Sequence, residues 1–339
     1  MKGSPLKVLV TGSKGFIGKN LCLYLAEDKD IDLKVFNRNN NNFELEGLLK
    51  DIEVVIHLAG ENRPLSDKAF DEVNAGLTKE ICNLLYKHDN KACLILASST
   101  QVEKNNLYGA SKLAAEEAVK DLNTENKNPV VIYRLPGVFG KWCKPNYNSV
   151  VATFCHNIAN DLPIEINDKS SEIELVYIDN VIAHFIEDLK NIKNRLQYKD
   201  IAQKYSISLG ELAEKIEAFK KCRSSLEIEN VGNGITHALY STYVSYLPKN
   251  KFSYHLEKHG DKRGIFVEVL KTSNAGQISF FTSGPGIKRG AHYHHTKTEK
   301  FLVIKGKAKF GFRHMITNEK YFLETSDKEP EIVESIPGW

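Results

Sequence analysis

The chain has 339 residues, more than one hydrophobic core usually organises, so about two domains are expected. Hydrophobic residues make up 42% and charged residues 26%, which excludes a disordered chain. The 46 basic and 43 acidic residues leave a formal net charge of +3, too weak a bias for a nucleic-acid footprint, and no basic stripe interleaved with aromatics occurs. The longest apolar runs, such as the one within Asp51–Gly60, have strand length and fall far short of the ~20 residues of a membrane helix. A strand begins almost at the N-terminus, so no secretory signal is expected. Six cysteines (Cys22, Cys82, Cys93, Cys143, Cys155, Cys222) lie scattered without a CxxC pair and read as the reduced thiols of a cytoplasmic protein.

In chain order, Leu6–Thr11 is a short apolar strand followed by a glycine-rich turn. Phe16–Leu25 carries apolar residues at helical spacing, and Leu33–Phe36 is a second strand. The run Asn37–Asn42 reads as a polar loop without a function of its own. Val54–Leu58, Ala92–Ala97 and Pro129–Arg134 are further buried strands with helical patterns between them. Repeated strand–helix units with continuously apolar strands predict a doubly wound parallel sheet covered on both faces. From about Leu239 the texture changes to short β-rich segments: Gly264–Leu270, Gly276–Phe281, Lys300–Lys305 and Lys307–Phe312, punctuated by turn glycines. A small antiparallel β domain is expected there, with the boundary near residue 247, giving domains 1–247 and 248–339.

Thr11-Gly-Ser-Lys-Gly-Phe-Ile-Gly18 follows the first strand and opens a helix. Gly12, Gly15 and Gly18 let the backbone approach a pyrophosphate that sits on the helix N-terminus, and Lys14, Phe16 and Ile17 of the same fingerprint are expected to bind the cofactor with them. The second strand ends Val35-Phe36-Asn37-Arg38, with no acidic residue for a ribose 2′-hydroxyl. Arg38 instead suits a 2′-phosphate, so NADPH is the expected cofactor. In Tyr108-Gly-Ala-Ser-Lys112 the i, i+4 spacing puts Tyr108 and Lys112 on one helix face. A nearby ammonium is expected to lower the phenol pKa and let the tyrosine exchange a proton with a sugar oxygen. Ser98-Ser99-Thr100 ends the preceding strand and offers a hydroxyl to the same carbonyl.

These motifs resemble the extended short-chain dehydrogenase/reductases that act on nucleotide sugars, over residues 1 to about 245. His57-Leu58-Ala59-Gly60, Val73-Asn74, Arg134-Leu-Pro136, Val138-Phe-Gly140 and Tyr177-Ile-Asp179 are similar to further segments of that family. The resemblance implies a Rossmann-type fold, a catalytic set of Thr100, Tyr108 and Lys112, and cofactor contacts from Leu58, Ala59, Gly60 and Asn74. Two departures bear on the branch. Gln101-Val102 stands where 4,6-dehydratases carry an Asp-Glu pair, and the second strand lacks the acidic end of NAD-retaining 4-epimerases. A net NADPH-dependent reductase is therefore expected; a nucleotide-sugar epimerase or dehydratase, or an NADPH sensor without turnover, are the alternatives.

In the β-rich part, Gly286-Ile-Lys-Arg-Gly-Ala-His292-Tyr-His294-His-Thr-Lys-Thr-Glu299 places His292 and His294 at i, i+2, so on a strand they share a face. Glu299 returns on the next strand, completing an N/N/O donor set for zinc, iron or manganese, with His295 pointing away. The segment resembles the first cupin motif, and zinc is the first expectation. With Lys141–Ser149, Tyr240–Pro248 and Asp261–Gly264, the whole chain resembles the bifunctional enzymes of capsular polysaccharide synthesis. In that family the cupin epimerises C3 of a UDP-2-acetamido-2,6-dideoxy-4-hexulose, and the reductase domain then reduces the C4 ketone, giving UDP-N-acetyl-L-6-deoxytalosamine. A cytoplasmic homodimer acting on a UDP-4-keto-6-deoxy-HexNAc, without nucleic acid or membrane, is implied. The chain stops at Ile336-Pro-Gly-Trp339, where the second cupin motif would begin, so a C-terminally truncated cupin lacking its third histidine is expected.

Overall fold

A computed structural model describes residues 4–62, 70–193, 195–274 and 276–339. The chain divides into two units, Met1–Leu256 with Glu268–Ile278, and Glu257–Val267 with Ser279–Trp339.

The first unit is built on a six-stranded sheet in which all strands run parallel. Its members are β1 (Leu6–Thr11), β2 (Ile31–Phe36), β3 (Val54–His57), β4 (Cys93–Ser99), β5 (Val130–Leu135) and β8 (Leu196–Lys199), in the order β2-β1-β3-β4-β5-β8. Because side chains alternate across a strand, each strand feeds two cores. Val8, Val10, Ile56, Ile95 and Tyr133 pack on one face with α1 (Phe16–Glu27) and α6 (Ile178–Lys190). Leu9, Val55, Leu94 and Ile132 pack on the other with α2 (Asn42–Leu49), α3 (Leu77–Lys87) and α4 (Leu107–Asn126). β3 and β4 are buried throughout, and accordingly apolar up to their carboxyl ends, where His57, Ser98 and Ser99 turn to the site.

The strand order reverses direction at β1, where the chain steps to β2 on one side and β3 on the other, and ligands of such sheets bind at the carboxyl ends of the strands there. Beside this sheet, β6 (Gly137–Phe139), β7 (Glu172–Tyr177) and β9 (Tyr205–Ser208) form a small mixed sheet. It shares a third core with α5 (Val150–Ala159), α7 (Leu209–Ser225) and α8 (Gly234–Val244). Two details differ from the sequence expectation. The helical pattern persists beyond Leu239 to Val244, because Ala238, Leu239, Thr242 and Tyr243 fall on one buried face of α8. The asparagine run is ordered: Asn40 accepts from the Asn37 N–H, and Asn41 caps α2 in a reciprocal box with Glu44.

The second unit is β-rich. β10 (His259–Asp261) pairs antiparallel with the start of β11 (Gly264–Thr272), and β12 (Gly276–Phe281) joins the same sheet. β13 (Glu299–Leu302) pairs with β16 (Ile332–Ser335), and β14 (Lys307–Arg313) with β15 (Lys320–Ser326), all antiparallel. The inner ends of β11 and β12 belong to the first unit, where Lys271 exchanges backbone hydrogen bonds with Leu226 and Ile228. All six cysteines are free, and no helix of the described residues is long and apolar enough to cross a membrane.

Candidate active site and metal cluster

The glycine-rich turn is shaped by contact rather than by flexibility alone. A Cβ on Gly18 would lie 2.2 Å from the Gly12 carbonyl oxygen, and Gly12, held at φ +70°, would put a Cβ 2.7 Å from the Ala59 nitrogen. Gly15 precedes α1 and no side chain caps it, so the helix presents bare N–H groups at its start, the arrangement that suits a phosphate. Phe16 and Ile17 in the first turn, with Leu58 after β3, pack on the sheet core, while Lys14 is exposed on the turn.

Behind the turn a buried hydrogen-bond chain fixes the ends of β1 and β3. The Thr78 hydroxyl donates to the Asn74 carbonyl at 2.6 Å, so its oxygen must accept from His57 Nε2 at 2.9 Å. His57 Nδ1 is then left to accept from the Thr11 hydroxyl at 2.6 Å, whose oxygen accepts from the Ala59 N–H at 3.2 Å. Burial first, and the Lys112 ammonium second, hold the His57 pKa down to about 3, so the ring stays neutral.

Asn74 lies in a π-helical stretch, Phe70–Gly76, that leads into α3. Its Oδ1 accepts from the Glu61 N–H at 2.7 Å, and its Nδ2 donates to the Glu61 carbonyl at 3.0 Å and the Ser111 hydroxyl at 2.9 Å. Both amide hydrogens are thereby used within the protein, and Asn74 acts by fixing the 58–61 loop to α4.

Tyr108 and Lys112 occupy the first two turns of α4, whose N-cap Asn106 accepts from the Gly109 N–H at 2.7 Å. Gly109 permits a close approach: a Cβ there would meet the Gln101 carbonyl oxygen at 2.2 Å. The Tyr108 ring lies against Phe70, centroids 6.0 Å apart. Lys112 is buried, donates to the Ala97 carbonyl at 2.9 Å, and would sit 3.2 Å from a Cβ on Gly60, so a side chain at residue 60 would crowd the ammonium.

The electrostatics correct one expectation. Burial raises the Tyr108 phenol pKa, against a smaller downward pull from the Ser99 hydroxyl, whereas the predicted lowering by the ammonium is not the governing effect. Burial instead lowers Lys112 to about 8, with Glu116 pulling it back up. The hydroxyl set against the phenol is that of Ser99, which also accepts from the Gln101 N–H at 3.2 Å. Thr100 opens the 3-10 turn that follows, Thr100–Glu103, and its side chain makes no hydrogen bond among the described residues.

Two constellations escaped the sequence reading. Glu116, fully buried one turn beyond Lys112, accepts from Ser98 Oγ at 2.6 Å, Arg134 Nε at 3.0 Å and Arg134 Nη2 at 2.7 Å. Its position at i+4 from Lys112 on the buried face of α4 was the available signal. Arg38, exposed, pairs with Glu61 Oε2, while Glu61 Oε1 accepts from the Tyr147 hydroxyl at 2.9 Å. Nothing in the spacing of these three residues announced their meeting.

In the second unit, ligand atoms of His292, His294 and Glu299 lie within 4.8 Å of one another. The two imidazole centroids are 5.0 Å apart, and His294 Nε2 is 3.6 Å from Glu299 Oε2. The histidines stand on an unpaired extended stretch rather than on the expected strand, since Gly290 and Ala291 take left-handed φ values of +90° and +62° just before them. His295 packs on Tyr293, outside the cluster. His294 Nε2 is buried without a hydrogen-bond partner, an orphan a cation would satisfy. Two imidazoles and a carboxylate fit zinc or a similar divalent ion.

Residues 8–202 match the NAD dependent epimerase/dehydratase family, and residues 259–339 match the Polysaccharide biosynthesis C-terminal domain. The chain is 48% identical over 334 residues to UDP-2-acetamido-2,6-beta-L-arabino-hexul-4-ose reductase of Pseudomonas aeruginosa, covering 98% of this chain and 90% of that one. The crystal structure of the capsular polysaccharide assembling protein CapF from Staphylococcus aureus superposes with a TM-score of 0.90 and 39% identity, again over 98% of this chain and 90% of the other. UDP-glucuronic acid 4-epimerase from Bacillus cereus, at TM-score 0.60 and 20% identity over 73% of this chain and all of that one, shares the fold.

Proposed function

Since the chain belongs to the NAD dependent epimerase/dehydratase family, we propose that it is an NADPH-dependent UDP-sugar 4-ketoreductase whose β-rich unit is a cupin that epimerises C3 of the same 4-keto sugar. The observation that carries the reductase assignment is the pairing on α4 of Tyr108 with the buried Lys112, beside the glycine-rich turn. NADPH, when bound, supplies the hydride that C4 takes up.

The residues have distinct tasks in that reaction. Bare N–H groups at the start of α1 receive the pyrophosphate, and Arg38 receives the 2′-phosphate. Tyr108, kept protonated by its raised pKa, gives its proton to the C4 oxygen as the ketone becomes an alcohol. Lys112 places a positive charge behind the phenol and stabilises the phenolate left after transfer. Ser99, or Thr100 as the family resemblance implies, donates to the same sugar oxygen. The C4 ketone also acidifies the C3 hydrogen, so an epimerisation at C3 followed by reduction at C4 is chemically consistent, and reduction traps the product. His292, His294 and Glu299 would hold a divalent ion, zinc by first preference, which supplies a fixed positive charge in the β-rich unit. We place the protein in the cytoplasm as a homodimer acting on UDP-4-keto-6-deoxy-HexNAc.

The test is incubation with NADPH and a UDP-2-acetamido-2,6-dideoxy-4-hexulose, followed by NMR of the product. Stoichiometric NADPH consumption with a new C4 hydroxyl is expected. Absence of turnover would overturn the assignment.

A further inference from the structure

We propose that Glu61 is a cofactor-discriminating residue: its carboxylate clasps Arg38 across the mouth of the dinucleotide groove and competes there with the 2′-phosphate of NADPH. The inference rests on the assignment of Arg38 as the 2′-phosphate partner. Topology places the clasp. Arg38 stands just beyond β2 and Glu61 just beyond β3, and these strands flank β1 in a parallel sheet, so their carboxyl ends lie on either side of the turn Gly12–Gly18. An ion pair joining those two loops crosses the groove in which adenosine ribose binds in folds of this kind.

The two partners are not held alike. The Glu61 side chain is 14% exposed and that of Arg38 79%. Glu61 is fixed through its backbone N–H and carbonyl by Asn74, and through Oε1 by Tyr147. The carboxylate is thus the stationary member and the guanidinium the one that moves. For Arg38 to meet a phosphate it must leave Glu61, and the phosphate dianion then stands near a carboxylate that cannot swing far away. A ribose carrying a free 2′-hydroxyl meets the opposite situation, because a carboxylate accepts from a hydroxyl. Glu61 accordingly narrows the preference for NADPH that Arg38 creates.

The experiment is equilibrium titration of the full chain with NADPH and with NADH, read by nucleotide fluorescence, for the native protein, Glu61→Gln and Arg38→Ala. Glu61→Gln keeps the side-chain volume and an oxygen for Tyr147, and a thermal melt verifies that it folds; Glu61→Ala serves as the second variant. Glu61→Gln should tighten NADPH about fivefold, equal to ~1 kcal/mol for release of an exposed ion pair, while NADH is unchanged or weakened. Unchanged NADPH affinity, or an equal change for both nucleotides, overturns the inference. Arg38→Ala decides the underlying assignment separately: selective loss of NADPH upholds it, and equal loss of both nucleotides removes it.

Discussion

Glu116→Gln perturbs the site without touching substrate. The native carboxylate is fully buried and accepts four hydrogen bonds, two from Arg134, one from Ser98 and a longer one from the Tyr198 hydroxyl at 3.4 Å. Removing one member of a buried ion pair costs about 3–5 kcal/mol. The Arg134 side chain is 30% exposed, so water meets the abandoned guanidinium, and glutamine retains one carbonyl acceptor. A loss of about 2 kcal/mol is therefore expected, or roughly 4–8 °C in the melting temperature of a domain this large. A second effect separates the charge from the packing. Lys112 titrates near 8, held there by burial while Glu116 raises it, so the neutral amide must lower it further. If activity requires the ammonium, the basic limb of the pH–rate profile moves to lower pH. The linkage has the matching sign: with the native pKa below the ordinary value of 10.5, the buried ammonium weakens the fold at neutral pH, and stability recovers between about 8 and 10.5 as the native lysine releases its proton first. In Glu116→Gln this recovery should begin at lower pH. Melts and NADPH-oxidation rates across pH 6–10 (roughly the span set by the Lys112 shift) measure both effects, with Glu117→Gln, an exposed neighbour paired to Lys120, as the control. A variant as stable as the native chain with an unmoved basic limb would refute the reasoning.

Tyr108→Phe removes the proton but keeps the ring on Phe70; reduction should fall ~10²–10⁴-fold while fluorescence titration shows NADPH binding retained. Gly18→Ala drives a Cβ into the Gly12 carbonyl oxygen at 2.2 Å, and only backbone can yield. It should cost about 1–3 kcal/mol of stability and weaken dinucleotide binding by about tenfold or more, measured by melting and titration. His292→Ala should lower zinc bound per chain, with His294→Ala doing the same; elemental analysis after dialysis against zinc checks both, and unchanged occupancy in either variant would dissociate the cluster from the metal.

Local and regular features were legible in the sequence. β1 falls on the expected residues and β2 to β5 within one or two, because burial on both faces leaves a short apolar run with sharp ends; β12 also falls on its expected residues, marked by its flanking glycine rather than by burial, while the half-exposed β8 was not expected at all. The glycine fingerprint and the Tyr108–Lys112 spacing were readable for the same reason: each acts over one turn of chain. The features that escaped depend on distance. Arg38 meets Glu61 across 23 positions, and Arg134 meets Glu116 across 18, each through strand order rather than spacing. Residues 240–244 misled because Tyr, Thr and Val favour strands, and the core against α5 and α7 overrides that preference. The His292–Glu299 grouping was legible, but its backbone was not, since the left-handed turn falls at Gly290 and also at Ala291, where composition gives no warning.

The hydrogen-bond chain through His57 has a direction. At one end stands the Ala59 N–H, which can only give, and at the other the Asn74 carbonyl, which can only receive. Between them every hydroxyl and ring nitrogen is committed, so no member can reverse unless all do, and the two ends forbid it. A proton relay needs both orientations to be accessible in turn; this line of donors has one. It is an insulator laid beside Lys112, and in the proposed reduction the proton that Tyr108 would give away has to be replaced from another side of the site.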